Sequence, residues 1–291
     1  MADSDQKPAP RASRAGRDLP AAIGVGVGLF AYVVITLTWW PVGFMVLLVL
    51  LTSLGAYEVH LALKRVGMTS AIIPVVLGNI FIIGGSYAAA VLQPVTRLPW
   101  HIVLLGTIGG TVLLALIWRM FGGAEGYARD SAASLFIIGY IPLLASFVGL
   151  ILAQQHGVAK TVAVFLCIVG SDTGGYILGA SMGKHPMVPT ISPKKTWEGM
   201  AGSVILASIV SIAMSVFGLH QPWWFGLLLA IVVVITGTAG DLIESLIKRD
   251  VGIKDMSSFL PGHGGVMDRL DSTLVAAPAA WLVFTLAGIS W

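Results

Sequence analysis

The sequence predicts an all-α polytopic membrane protein of about nine transmembrane helices, N-terminus cytoplasmic, with two functional cytoplasmic loops. Three observations carry that prediction. Charged residues are 11% of the 291 and AVILMFWYC residues 56%, whereas ordinary soluble proteins are about a quarter charged. The apolar residues gather in runs of bilayer length, about 20 residues for a hydrocarbon core of roughly 30 Å. The cations lie almost entirely on one side of those runs. A soluble globule could not clothe so much apolar surface with 17 Lys and Arg and 14 Asp and Glu side chains, and the mean hydropathy of +0.89 agrees.

Taken in order, the runs are 21–38, 42–63, 71–92, 100–118, 131–152, 160–180, 199–219, 222–247 and 271–290. Residues 1–20 are polar, with Pro8, Pro10, Arg11, Arg14 and Arg17, and read as a disordered basic cytoplasmic tail. The stretch after the tail is too long for the apolar segment of a cleavable signal and lacks an obvious small-residue cleavage site, so it reads as the first anchor. The chain then divides into five N-terminal spans, 21–152, and a membrane region of four spans, 160–291, which carries the polar loops 181–198 and 248–270.

Orientation follows from the cations, which favour the cytoplasmic side. With the N-terminus inside and nine alternating spans, only Arg97 and Lys160 of the 17 Lys and Arg face outward. Miscounting a single span would destroy that asymmetry. Trp39, Trp40, Trp100, Trp223, Trp224 and Trp291 then fall at the outer interface, Trp118 and Trp197 at the inner one, where amphipathic rings favour the headgroup region. The plasma (inner) membrane is the expected location. The outer loops are short, so chemistry is expected on the inner face. Cys167 stands alone and the six histidines are scattered, which excludes an intramolecular disulfide and leaves no zinc-ligand spacing.

Ionisable groups within a span are costly and suggest function by default. Glu58 and His60 lie near the inner end of the second span and read slightly better as side chains reaching the headgroups. Asp172, in Ser171-Asp172-Thr173-Gly174-Gly175-Tyr176, is too deep in the sixth span for so short a side chain to escape. Asp271 could be only a helix N-cap ahead of Ser272 and Thr273. Asp241, Glu244 and Lys248 are spaced i, i+3, i+7 and share one helical face. A Glu244–Lys248 pair alone would be an ordinary salt bridge, but it leaves the next loop unexplained. That loop interleaves Lys248, Arg249, Lys254, His263 and Arg269 with Asp250, Asp255, Asp268 and Asp271, as a site for a metal-bound polyphosphate would. Pro261-Gly262-His263-Gly264-Gly265 lets backbone N–H groups approach an anion.

The other loop has the same character: Ser192-Pro193-Lys194-Lys195-Thr196-Trp197-Glu198-Gly199 flanks two lysines with hydroxyls suited to phosphate. On its own it would equally be a basic inner loop with an interfacial Trp. Gly24-Val25-Gly26-Val27-Gly28 follows no strand and reads as a helix-contact stripe. There is no GxxxxGK[ST] string, so any nucleotide is bound without a P-loop.

The run Ser245-Leu246-Ile247-Lys248-Arg249, then Lys254-Asp255, Ser257, Leu260-Pro261, His263-Gly264-Gly265-Val266 and Asp268-Arg269-Leu270-Asp271 resembles the signature of phosphatidate cytidylyltransferases (CDP-diacylglycerol synthases). Ser171–Tyr176 and the 192–199 stretch resemble that family too, so the motif-bearing part covers residues 171–271; the first 130 residues match in hydropathy and span count only. The resemblance implies the reaction of CTP with phosphatidate to give CDP-diacylglycerol and pyrophosphate, with Mg²⁺, one or two cations, held by Asp241 and Asp268. The expected catalytic residues are Asp241, Asp268, Asp172 and Lys195, with Asp172 ranked below the two metal carboxylates. The expected substrate-binding residues are Ser192, Lys194, Glu244, Ser245, Lys248, Arg249, Lys254, His263, Gly264, Gly265 and Arg269. The partners are CTP, phosphatidate and membrane lipid, with no nucleic acid; small-residue faces make a homodimer reasonable.

Two other readings compete. A cation-coupled transporter could use Asp172, Asp241 and Glu244 as an ion path, with the glycine-rich sixth span as a broken helix; nine spans, however, resist division into two matching repeats. A CTP-dependent lipid kinase is closer in chemistry and would release CDP rather than pyrophosphate.

Overall fold

A computed structural model describes residues 19–257 and 264–288, and its helices fall at the nine places where the apolar runs lie. Most of the basic tail and His263 lie outside the described residues. Helix α1 (Leu19–Trp39) ends just before Pro41, which opens α2 (Pro41–Arg65) at a position where a missing N–H is tolerated. Lys64 and Arg65 close α2, as suits the negative end of a helix, and Gly67 turns the chain at φ +79°. The third run is α3 (Ile72–Asn79), a π-helical stretch Ile80–Gly85 and α4 (Ser86–Thr96), followed by α5 (Trp100–Met120).

The fifth predicted span, 131–152, is two helices, α6 (Tyr127–Tyr140) and α7 (Pro142–Leu152), parted at Ile141. Pro142 is the cause, because its ring and missing donor interrupt a helix passing through it. The sixth span behaves oppositely. Helix α8 (Gly157–Met182) is uninterrupted despite its glycines, so the break expected of a transporter helix is not there. Then follow α9 (Trp197–Ala213) with a π-helical end Met214–Gly218, α10 (Trp223–Asp250) and α11 (Met267–Leu286).

Among the described residues, seven helical segments, from Pro41–Arg65 to Trp223–Asp250, are long and apolar enough to cross a membrane. Helix α1 has a shorter apolar stretch, Gly26–Trp39, and α11 opens with Asp268, Arg269 and Asp271. The protein is a multi-pass membrane protein, and among the described residues its regular elements are all helices but for one pair of strands in the 181–198 loop. There β1 (Pro186–Val188) and β2 (Ser192–Thr196) form an antiparallel hairpin, Pro186 opposite Thr196 and Val188 opposite Ser192, with an irregularity between the pairs.

Glycine sets how closely the helices around this hairpin approach. A Cβ on Gly174 of α8 would lie 2.2 Å from the Gly202 carbonyl oxygen of α9, and one on Gly202 2.3 Å from that of Gly174. Neither position has room for a side chain. Ser203 Oγ seals the seam by donating to the Ser171 carbonyl at 2.7 Å. Helices α10 and α11 meet in the same way at Gly240, where a Cβ would stand 2.4 Å from the Asp271 carbonyl oxygen. Without a hydrophobic drive between helices in lipid, such backbone approach supplies the packing.

Candidate active site

Between α8, β2, α9, α10 and α11 lies a cavity of about 230 Å³ whose lining includes Asp172, Lys194, Lys195, Thr238, Asp241 and Ser272. Each element delivers its side chain for a local reason. Thr196 caps α9, its Oγ1 accepting from the Gly199 N–H at 3.1 Å, so β2 ends at the helix start and Lys195 is held one residue ahead of it. Glu198 fixes the base of the hairpin by accepting from the Lys184 and His185 N–H groups at 3.1 and 3.2 Å and pairing with His185 Nδ1 at 2.5 Å. Arg249 fixes its far end by donating from Nε to the Ile191 carbonyl.

Two polar rungs join α10 to α11. In the first, Asp241 Oδ2 accepts from Lys195 Nζ at 2.6 Å and Oδ1 from Ser272 Oγ; Lys195 also reaches the Thr238 carbonyl at 3.5 Å. In the second, Lys248 Nζ lies between Glu244 and Asp268, 2.8 Å from Asp268 Oδ1, while Asp268 Oδ2 accepts from the Gly265 N–H at 2.8 Å. Glu244 follows Asp241 by three residues and Asp268 precedes Ser272 by four, so the rungs lie about one helical turn, ~5 Å, apart. Lys195 of β2 and Lys248 of α10 thus meet carboxylates from α10 and α11.

Asp241, Asp172, Lys195 and Lys194 come together at the cavity, and Asp268, Glu244 and Lys248 gather in the adjoining rung. Glu244 is 2% exposed, and its Oε1 has no hydrogen-bond partner among the described residues. Gly264 and Gly265 lie against Asp268: Cβ atoms there would stand 3.2 and 2.9 Å from its Oδ2. Ser192 is in the hairpin, Ser245 is half-buried in α10, and Lys254 and Arg269 are exposed; none of these four lines the cavity.

The structure corrects the reading of Glu58 and His60 and excludes two simpler alternatives. Glu58 does not reach the headgroups: it is 5% exposed and accepts from Ser257 Oγ at 2.5 Å, the Val266 N–H at 2.9 Å and the Met267 N–H at 2.8 Å. His60 is likewise buried, with Nδ1 2.6 Å from Ser70 Oγ. Asp271 is no N-cap, because it is the fifth residue of α11, and its Oδ1 accepts from the Ser272 N–H at 2.8 Å. Nor does Asp241 stand aside from a Glu244–Lys248 pair: it holds Lys195, while Asp268 joins that pair. Glu58, which accepts from the N–H groups just ahead of Asp268, is the residue whose place sequence reasoning missed; a carboxylate inside an apolar run was its only signal.

Comparison with known proteins agrees with this architecture. A family model described as "Cytidylyltransferase family" matches residues 20–287. A phosphatidate cytidylyltransferase of Mycobacterium bovis is 38% identical over 97% of this chain and 93% of its own. One from Mycobacterium tuberculosis is also 38% identical, over 97% of this chain and 87% of its own. A Staphylococcus epidermidis phosphatidate cytidylyltransferase is 39% identical over 51% of this chain and 57% of its own. With the match running over residues 20–287, the ion-paired cavity included, the chain belongs to the cytidylyltransferase family and is a nucleotidyltransferase.

Proposed function

We propose that this protein transfers CMP from CTP to phosphatidate, giving CDP-diacylglycerol and pyrophosphate for phospholipid synthesis. The single observation that carries this reading is the cavity where Lys194 and Lys195 face Asp172 and Asp241 beside the Asp268–Lys248 rung. Both substrates are anionic, so the task is charge neutralisation and alignment rather than strong base catalysis. A phosphate monoester is already largely ionised near pH 7, with a second pKa of about 6.

In this reading Lys194 and Lys195 hold phosphate oxygens of CTP at the cavity. Lys248, kept in place by Glu244 and Asp268, contributes positive charge to the same side. Arg249 positions the hairpin through Ile191 and thereby sets Lys195. The lipid phosphate attacks the α-phosphorus in line; the bond to the β-phosphate oxygen breaks and pyrophosphate leaves with the electron pair.

The donor set fits magnesium. Asp241, Asp172 and Ser272 present hard oxygens around one cavity, and Asp268 and Glu244 Oε1, the latter buried and without a hydrogen-bond partner among the described residues, stand about one helical turn away. Magnesium usually needs only one or two protein carboxylates, taking its other ligands from water and phosphate, so it does not require the cluster of three or more His, Cys, Asp or Glu side chains that is absent among the described residues. Asp241 and Asp268 would hold it, one or two ions in all, with Lys195 and Lys248 passing from carboxylate to phosphate when substrate enters. Bound there, it would neutralise phosphate charge and favour departure of pyrophosphate.

The reading includes nine spans with the N-terminus in the cytoplasm, an anchoring half and a catalytic half, a plasma-membrane location and a site open to the cytoplasm. The skew of 17 Lys and Arg toward one side of the runs supports it. It also includes a homodimer, since Gly106, Gly109 and Gly110 of α5 have open space opposite them; mass photometry in detergent checks this. The decisive assay supplies purified protein with labelled CTP, phosphatidate and Mg²⁺. Cytidine label in the lipid extract with an equal yield of pyrophosphate is expected. Release of CDP with phosphorylated lipid would mean a kinase, and solute uptake without CTP use a transporter.

A further inference from the structure

Among the described residues, helix α11 has no capping side chain from its own N-terminal flank. Its N-cap position is Val266, whose side chain cannot accept a hydrogen bond, although the first N–H groups of a helix need acceptors. Ser, Thr, Asp or Asn would usually stand there. The acceptors come instead from α2, across a separation of 208 residues: Glu58 Oε1 takes the Val266 N–H at 2.9 Å and Oε2 the Met267 N–H at 2.8 Å. Oε1 also takes Ser257 Oγ, which holds the start of the loop between α10 and α11. A carboxylate here further favours the positive end of the helix.

This clamp abuts the second rung. A Cβ on Gly265 would lie 3.0 Å from Glu58 Oε2 and 2.9 Å from Asp268 Oδ2, so the two carboxylates flank one glycine with no space for a side chain between them. Met267, whose N–H Glu58 holds, precedes Asp268. Any shift of the α11 start therefore moves Asp268 relative to Lys248, which is anchored on α10 through Glu244. Glu58 itself does not line the cavity.

We propose that Glu58 is a positioning residue for nucleotidyl transfer: from the second helix it sets the start of α11 and so holds Asp268 against Lys248. This rests on the reading of Asp241, Asp268 and their lysines as the active site. Glu58→Gln is the primary test, because an amide keeps the size of the side chain but turns a donor toward a backbone N–H. In the full-length protein, kcat is expected to fall about 100-fold, the scale on which a ~1 Å misplacement acts, with KM for CTP within threefold. Hydrogen exchange should rise at Val266 and Met267 and stay unchanged in the α8–α9 seam. Ser257→Ala, which removes one donor and leaves the carboxylate, should lower kcat three- to tenfold and decides the matter if Glu58→Gln does not fold.

A kcat within twofold of the parent in folded Glu58→Gln, or in Ser257→Ala where that variant decides, overturns the proposal. So does, in a variant that folds, loss of activity that comes with exchange raised throughout the protein rather than at Val266 and Met267. Asp241→Asn run in parallel separates the two levels. If it is inactive while Glu58→Gln turns over normally, only the positioning role fails; if it stays active, the site reading fails and takes this proposal with it.

Discussion

At the end of α5, Arg119 Nε donates to Asp130 at 2.9 Å; on α10, Asp241 accepts from Lys195 at 2.6 Å. Both pairs border a hollow, about 640 Å³ for the first and about 230 Å³ for the second. By distance and residue type the two look alike. Their remaining hydrogen-bonding capacity separates them. Asp130, its side chain 7% exposed, also accepts from the Thr69 N–H at 2.8 Å and lies 3.5 Å from Arg129, while Arg119 donates further to the carbonyls of Gly123 and Glu125. That cluster ties the α2–α3 loop to the α5–α6 turn. The side chains of Asp241 and Lys195 are 29% and 26% exposed and face a cavity shared with Asp172 and Lys194. A pair consumed by its own chain is a staple, and one that leaves a face to a cavity is available to a ligand.

The contrast can be broken in three ways. The largest effect is expected at Asp241→Asn: turnover should fall at least ~1,000-fold, about 4 kcal/mol of transition-state stabilisation, while thermal unfolding in detergent changes little. Near-parental activity would end the metal and lysine assignments together. Next comes Asp130→Ala, which should reverse the pattern. Leaving the partly buried Arg119 without its carboxylate should destabilise the fold by about 1–3 kcal/mol, read as a lowered unfolding midpoint, with turnover per folded molecule unchanged. A selective loss of kcat there would make the Arg119 cluster part of the chemistry.

The smallest effect concerns the framework. Gly202→Ala should destabilise by about 1–3 kcal/mol through overpacking, because its Cβ meets backbone of α8. Gly109→Ala, with nothing within 4 Å of the added carbon, should stay within about 0.5 kcal/mol of the parent. Equal effects in the two unfolding curves would remove the seam as the device that holds the Lys195 wall.

Much of the fold was legible because hydropathy is a local signal. Every helical run begins and ends within a few residues of where the apolar stretches do. Pro142 was overlooked inside such a stretch, since Tyr140, Ile141 and Leu143 around it keep the run apolar while the ring still divides α6 from α7. The hairpin was not legible either: Ser192-Pro193-Lys194-Lys195-Thr196 has loop composition, and it becomes a strand where Glu198 and Arg249 secure its two ends. Asp241, Asp268 and Lys195 were visible as charges in apolar or basic context. Their pairing was not, and Glu58, buried beneath the loop it caps, was mistaken for a side chain on its way to the headgroups.

The amino-acid order by itself determined which segments are helical and membrane-long, and which carboxylates and lysines cluster along the chain. Bilayer thickness and helical rise translate composition directly into those features. Only the tertiary structure decided that Lys195 meets Asp241 across 46 residues and that Glu58 caps a helix 208 residues away. Such partners are chosen by how closely backbone and side chains approach at Gly174, Gly202, Gly240 and Gly265, a property of two surfaces together that neither segment carries alone.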